Sequence, residues 1–164
     1  MANAKRKSTQ KGCIVDKQIC VILGDVRSLF NVGSIFRTAD GAGVEKIYLC
    51  GITGVPPRPQ IEKTALGAEK TVLWEYSKSA LKTIKKLKKQ GYQIIALERT
   101  KKSEPFHKAK YKNKVCLVVG NEVTGIKKSV LKEADKIVFI PMRGEKESLN
   151  VSVAFGIGVY QIAK

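Results

Sequence analysis

The sequence has very few residues of the kinds that bind metals or act in the common catalytic triads. It contains one histidine, His107, and four cysteines, of which no two stand at C-x-x-C spacing. Zinc sites use closely paired cysteines and histidines, and the usual triads need a histidine as the base. We therefore expect no metal site and no such triad. We interpret the cysteines as buried thiols of a reducing compartment; they are Cys13, Cys20, Cys50 and Cys116.

Signatures of nucleotide-binding loops and of membrane segments are also missing. The sequence has no G-x-G-x-x-G after a strand and no G-x-x-x-x-G-K-[ST], so neither a standard dinucleotide site nor a P-loop is supported. It has no apolar run long enough for a membrane-spanning helix, which needs about 18 residues. Residues 1–12 are basic but lack the apolar region of a signal peptide. We interpret them as a flexible basic tail and expect a cytoplasmic protein.

Acidic residues are scarce compared with basic ones. The chain has 31 Lys and Arg against 14 Asp and Glu, which gives a net charge of +17. Such an excess favours a polyanionic partner, either nucleic acid or an acidic membrane surface. The charge is clustered, because residues 78–114 hold 13 basic residues and only two acidic ones. We expect a phosphate-binding surface there, with simple solvation of the lysines as the alternative. A membrane surface is less favoured, because the basic helix carries no aromatic anchor on its apolar face.

Short apolar runs alternate along the chain with segments that have helical periodicity. The 164 residues, 43% of them hydrophobic, suit a single domain, which we assign to residues 13–164. The pattern predicts an α/β fold with an open, mostly parallel sheet and helices on both faces. The predicted strands are 19–23, 46–50, 71–75, 92–97, 115–120 and 136–141, and the predicted helices are 31–43, 79–91, 126–134 and 148–163. Prolines and glycines between 51 and 63 favour an irregular connection.

Two loops at the predicted strand ends carry polar residues that a simple turn does not require. In an open parallel sheet, ligands bind beyond the carboxyl ends of the strands. In NVGSIFRTADGAG, we expect Asn31 to cap a helix, and Arg37 then lies within an otherwise apolar helix. In VVGNEVTGI, Gly120 ends a strand and is followed closely by Glu122. Both loops are therefore candidates for a binding site.

A third such loop, IPMRGEKESLNVSVA, leads into the uncharged stretch 148–163. We predict Ser148 as the N-cap of the last helix, which puts the polar Asn150 in its first turn. A helix with no polar face should be buried on all sides. We expect one side to meet its own sheet and the other a second subunit, with burial wholly inside a monomer as the alternative. Gly156 and Gly158 would allow close approach of the packed backbones.

Taken in order, FNVGSIFRTADGAGV, VVGNEVTGI and IPMRGEKESLNVSVA resemble the three motifs of the SpoU/TrmH group of RNA ribose 2′-O-methyltransferases, within the SPOUT superfamily. The resemblance covers residues 19–164, and KTALGAEKTVLWEY is similar to the middle of that family. It implies a deep C-terminal trefoil knot and a homodimer. It also implies the cofactor S-adenosylmethionine, held in the knot by backbone groups. The residues that this implicates by position are Leu97, Gly120, Ile140, Met142 and Leu149.

The same resemblance implies methyl transfer to a ribose 2′-hydroxyl. It places Arg37 next to that hydroxyl, either as the base or, because arginine stays protonated, as a group that holds the phosphate and stabilises the alkoxide. Asn31, Glu122, Ser148 and Asn150 would position the ribose, Arg37 and the cofactor, and Glu122 could pair with Arg37 of its own or the other subunit. The compact chain favours tRNA as the substrate. Methylation of rRNA and a non-catalytic basic RNA-binding role are the alternatives.

Overall fold

The computed structural model describes residues 17–164, and within them the chain forms one seven-stranded sheet flanked by helices. The predicted tail, residues 1–12, and Cys13 lie outside the described residues. The strands are β1 (Gln18–Gly24), β2 (Lys46–Cys50), β3 (Leu73–Ser77), β4 (Gln93–Leu97), β5 (Glu104–Pro105), β6 (Lys114–Val119) and β7 (Lys136–Phe139). The helices are α1 (Leu29–Gly41), α2 (Pro59–Ala65), α3 (Ala68–Thr71), α4 (Ala80–Lys89), α5 (Lys128–Glu133) and α6 (Val151–Ala163).

The strand order is β3-β2-β1-β6-β4-β7-β5, and each strand pair within the described chain is parallel. The carboxyl ends of β1, β4 and β6 therefore meet at one edge, where Leu23 lies beside Val119 and Ala96 lies beside Val118. The segments that follow these carboxyl ends and that of β7 hold all three sequence motifs, the first of them mostly within α1. The predicted parallel α/β sheet is confirmed.

Side chains alternate across the sheet into two cores, one on each face. On β1, Val21 and Leu23 pack with Phe36 of α1 and Phe155 of α6. The intervening Ile22 points to the other face, where helices α4 and α5 complete a second core. The predicted helices on both faces are therefore confirmed, and Cys20, Cys50 and Cys116 are buried free thiols as expected.

The N-cap residues of two helices differ from the prediction. Helix α1 is capped by Ser28, whose hydroxyl accepts a hydrogen bond from the backbone N–H of Asn31. Asn31 is therefore not the cap but lies in the first turn, which frees its side chain for other partners. Helix α6 is capped by Asn150 and not by Ser148, since the Asn150 side chain accepts from the N–H of Ser152.

The connections contain elements that the sequence pattern did not predict. Helix α2 begins at a proline, which is tolerated in the first turn because its missing N–H has no partner there. Helix α3 follows it, and strand β3 begins at Leu73 and not at residue 71. The basic loop contains the two-residue strand β5 at the outer edge of the sheet. Short elements of this kind lack the periodicity on which a sequence prediction depends.

Helix α6 is buried on one side only within the subunit. Phe155, Val159 and Ile162 are at most 1% exposed, whereas Val153 and Tyr160 are 50% and 53% exposed. Burial wholly within a monomer is therefore excluded. A Cβ atom on Gly158 would lie 3.3 Å from the Leu97 side chain, so this glycine does allow close packing on the sheet. No helix within residues 17–164 is long and apolar enough to cross a membrane.

Candidate active site

A cleft of about 570 Å³ opens where the carboxyl ends of β4, β6 and β7 meet the start of α6. Its wall includes parts of the second and third motifs. All five residues expected to hold the cofactor line it, together with three of the residues expected to position the substrate. These are Leu97, Gly120, Ile140, Met142 and Leu149 in the first group and Glu122, Ser148 and Asn150 in the second.

The loop after β6 owes its shape to glycines and one asparagine. A Cβ atom on Gly120 would lie 2.6 Å from the backbone of Gly125 and Ile126, so only glycine fits there. Gly125 itself has φ +69°, a conformation that other residues rarely adopt. The Asn121 side chain accepts from the N–H groups of Val123 and Thr124 and donates to the carbonyl of Asp25. The loop is thus closed on itself and tied to the end of β1.

The Glu122 carboxylate joins this loop to the start of α1. It accepts hydrogen bonds from the backbone N–H groups of Arg27 at 2.9 Å and Ser28 at 3.0 Å. Its partial burial raises the pKa, but these bonds and one from Asn31 outweigh that effect and lower the pKa below its ordinary value. Glu122 is therefore ionised at neutral pH and holds the first motif against the second.

Asn31 connects all three motifs through its side-chain amide. Its Nδ2 donates to Glu122 at 3.2 Å, and its Oδ1 accepts from Nδ2 of Asn150, also at 3.2 Å. Asn150 in turn accepts from the backbone N–H and the hydroxyl of Ser152 at the start of α6. The side chains of Glu122, Asn31 and Asn150 therefore form one continuous series of hydrogen bonds that fixes the rim of the cleft.

Glu98 and Asn121 contribute to the site but were not predicted as site residues. Glu98 lines the cleft just after β4 and accepts from the backbone N–H groups of Arg99 and Ile126. It thereby ties the β4 end to the loop after β6. In the sequence, Glu98 is only one of two acidic residues in a basic segment, so no local signal identifies its partner 28 residues away.

Arg37 lies apart from the cleft of its own subunit. It is exposed on α1, and six residues beyond Asn31 place it about 240° further round the helix axis. Within residues 17–164, its guanidinium makes no ion pair or hydrogen bond, and Glu122 bonds to the start of α1 instead. A pairing of Glu122 with Arg37 inside one subunit is therefore not present. Pairing between subunits stays a prediction.

Comparisons with known proteins agree with the motifs. The model of the SpoU rRNA Methylase family matches residues 18–160. The chain is 34% identical over 145 residues to a tRNA (guanosine(18)-2′-O)-methyltransferase of Aquifex aeolicus, covering 88% of this chain and 68% of that protein. It is 29% identical to a 23S rRNA (guanosine-2′-O-)-methyltransferase of Ralstonia nicotianae, covering 89% and 58%.

A solved structure supports the same assignment. The AdoMet-bound rRNA methyltransferase from Sinorhizobium meliloti superposes with a TM-score of 0.83 at 28% identity, covering 88% of this chain and 55% of that one. The chain therefore spans little more than half the length of two of these three proteins. The resemblance inferred from the three motifs is confirmed, and the chain belongs to the SpoU methylase family.

Proposed function

We propose that this chain transfers a methyl group from S-adenosylmethionine to a ribose 2′-hydroxyl of RNA, with tRNA as the substrate. The observation that carries the proposal is the Glu122–Asn31–Asn150 series, which joins three motifs of a methyltransferase family around one cleft. The choice of tRNA is supported by the higher identity to the Aquifex aeolicus tRNA enzyme than to the Ralstonia nicotianae rRNA enzyme. Such a substrate fits a cytoplasmic protein.

The cleft fits S-adenosylmethionine in size and in chemistry. Its volume of about 570 Å³ lies within the range of pockets that enclose small ligands, roughly 300–1,000 Å³. Gly120 keeps the wall free of a side chain, and the remaining cofactor residues are apolar, which suits an adenine ring. When bound, the cofactor supplies an electrophilic methyl group on a sulfonium. Leu97, Gly120, Ile140, Met142 and Leu149 would hold it.

The polar residues at the rim would orient the RNA. Ser148 and Asn150 line the cleft and are exposed, so their side chains are open to a ribose. Asn150 is held by Asn31, which is held by Glu122, so the three side chains are already ordered before RNA binds. Such pre-ordering lets alignment of the 2′-oxygen with the methyl group supply part of the rate acceleration.

Arg37 would act as a cation and not as a base. A guanidinium stays protonated in proteins, so it is poorly suited to remove a proton. Held beside the 2′-oxygen, it would stabilise the negative charge that develops as the O–H bond weakens, and the proton would pass to solvent water. It would also bind the neighbouring phosphate, since guanidinium and phosphate match in geometry.

A homodimer would bring Arg37 to a cleft. Within one subunit Arg37 is remote from the cleft, but it lies on the exposed side of α1 together with Phe30, which is 48% exposed. The exposed apolar side of α6, with Val153, Ile157 and Tyr160, packs next to α1 and continues this surface. An exposed apolar surface of this kind is typical of a subunit interface. A dimer formed through this surface of α1 and α6 would place Arg37 of each copy against the partner subunit.

We also propose that the C-terminal part of the chain is knotted. The support comes from the order of the strands. β5 precedes β6 in sequence but lies outside β7, so residues 98–113 pass around the position that β7 later occupies between β4 and β5. After β7, the chain returns to pack α6 against β4 and β6. This path is the one expected of a deep trefoil knot.

Replacement of Arg37 tests the proposed function. Arg37→Ala should abolish methyl transfer to RNA while S-adenosylmethionine binds with unchanged affinity in calorimetry, because Arg37 does not line the cleft of its own chain. Lys132→Ala, which removes an exposed cation on α5, is the matched control and should keep full activity. Loss of cofactor binding together with methyl transfer in Arg37→Ala would instead assign Arg37 a structural role.

A further inference from the structure

Strand β3 forms one free edge of the sheet and carries two exposed aromatic side chains. Trp74, which is the single tryptophan of the sequence, is 36% exposed and Tyr76 is 47% exposed. The two residues are neighbours on the same face, since Trp74 pairs in register with Ile47 and Tyr76 with Leu49. Neither aromatic belongs to the buried cores of the described chain. Packing therefore does not explain their presence at this edge.

The side chain of Tyr76 on β3 is fixed by a hydrogen bond. The Tyr76 hydroxyl donates to the Gly51 carbonyl at 3.0 Å, which anchors its ring beside the loop that follows β2. Ile52 in that loop is 66% exposed and extends the apolar surface. A stacking surface built from ring systems with few rotatable bonds loses little entropy when a ligand binds. The geometry is thus suited to flat, aromatic ligand groups.

Basic residues flank the strand that carries the two rings. Glu75, the acidic residue of β3, is already paired with Lys46 at 2.6 Å and lies 3.9 Å from Lys86. That pair and the lysines of α4 lie on the opposite face of the sheet from the two rings, because Ile84 and Leu87 of α4 pack in the second core. The exposed lysines that flank β3 are Lys70 of α3, a helix that packs on the same face as the rings, and Lys78. Aromatic faces with lysines nearby are the combination that binds single-stranded nucleic acid.

The edge lies within reach of the cleft. Strand β3 is three positions from β6 in the sheet, which corresponds to about 14 Å at the usual strand spacing. Tyr76 is one residue from the carboxyl end of β3, and the cleft also lies at the carboxyl ends of its strands, so both are at the same end of the sheet. An RNA strand that enters the cleft could therefore continue along the loops to Trp74 and Tyr76.

We propose that Trp74 and Tyr76 form a stacking platform for unpaired bases of the RNA substrate, a short distance along the strand from the methylated ribose. The inference rests on the proposed RNA methylation for its substrate class, but binding at this edge does not itself require catalysis. Stacking accepts any base, because every base has an aromatic face. The platform therefore selects single-stranded segments and not a sequence.

The fluorescence of Trp74 tests the platform directly, because no other tryptophan contributes. A 12-nucleotide unpaired RNA should quench this fluorescence in wild-type protein, and the same RNA annealed to its complement should not. Affinities of the variants would be measured by filter binding of labelled RNA, which needs no tryptophan. Trp74→Ala and Tyr76→Ala should each weaken binding of the unpaired RNA roughly 5- to 150-fold, as for loss of one stacked base. Trp74→Phe should restore most of the affinity, and Leu73→Ala, which removes an exposed side chain from the opposite face of β3, should leave it unchanged.

The outcomes separate this inference from the proposed function. In methyl transfer, Trp74→Ala should raise KM for RNA and leave kcat unchanged at saturating RNA. Wild-type affinity in both alanine variants would overturn the platform even if methyl transfer occurs. Quenching that depends on protein concentration and not on RNA would overturn it in favour of pairing between the β3 edges of two copies. RNA quenching without any methyl transfer would support the platform and contradict the proposed function.

Discussion

The substitution Gly120→Ala tests how the cleft is built. Gly120 follows β6 at the point where the chain turns into the second motif. An alanine Cβ would lie 2.6 Å from the carbonyl carbon and oxygen of Gly125 and from the nitrogen of Ile126. All three are backbone atoms, so no side-chain rotation can relieve the contact. The loop between 121 and 126 must move away from β6.

The size of the effect can be estimated from this contact. Overpacking that forces a backbone shift costs about 1–3 kcal/mol. The shift also weakens the bonds that Glu122 accepts from Arg27 and Ser28. We therefore expect the free energy of unfolding to fall by about 2–3 kcal/mol. Because Gly120 lines the cleft, S-adenosylmethionine should bind at least 10-fold more weakly, which corresponds to about 1.4 kcal/mol.

Urea denaturation and titration calorimetry measure the two quantities. Gly24→Ala is the matched control, since Gly24 lies at the carboxyl end of the neighbouring strand β1 but its Cβ would lie 3.6 Å from the Val119 carbonyl oxygen, an ordinary contact. The control should lose less than about 1 kcal/mol of stability and keep its cofactor affinity. If Gly120→Ala matched this control in both measurements, the close packing of the loop against β6 would not be what shapes the cleft.

The remaining predictions concern stability and assembly. Glu122→Gln should lower the free energy of unfolding by about 1 kcal/mol at pH 7, a modest value because the carboxylate is exposed to solvent. The Glu122 pKa is lowered from 4.5 in the folded protein, so the stability difference between wild type and variant should be complete above pH 4.5. In urea denaturation at lower pH, the difference should vanish as the carboxylate protonates. A stability difference that does not depend on pH would refute the role given to the Glu122 carboxylate. One carboxylate oxygen of Glu69 is buried without a hydrogen-bond partner among the described residues. Because burial of an unpaired polar group is unfavourable, Glu69→Leu should raise the free energy of unfolding by about 1 kcal/mol. A destabilised variant would contradict this expectation. Ile157→Lys should convert a dimer to monomers in analytical ultracentrifugation, whereas a wild-type protein that is already monomeric would rule out the interface.

The strands could be predicted from the sequence because most are continuous apolar runs. ICVIL and VCLVV are buried on both faces, and the pattern of such runs separated by helices determines a parallel sheet. The sequence pattern predicts β3 two residues too early, because β3 is an edge strand with exposed side chains and its hydrophobic pattern is weak. Elements of two to seven residues, such as β5 and α2, give no periodic signal.

The residues of the site were identified by resemblance more than by local chemistry. The sequence predicts Asn31 and Ser148 as helix caps because each is a favoured capping residue, yet Ser28 and Asn150 hold those positions. Two capping residues within three positions cannot be ranked without knowing where the helix begins. Contacts such as that of Glu122 with Ser28 join residues 94 positions apart, and no local pattern specifies them.

The most direct test of the account is the chemical identity of the methylated product. The purified protein would be incubated with total RNA and S-adenosylmethionine carrying an isotopically labelled methyl group, and the RNA would be digested to nucleosides for mass spectrometry. We predict that the label appears on the ribose of a 2′-O-methylated nucleoside that originates from tRNA. A label on a base, or RNA that binds without acquiring any label, would contradict the central claim.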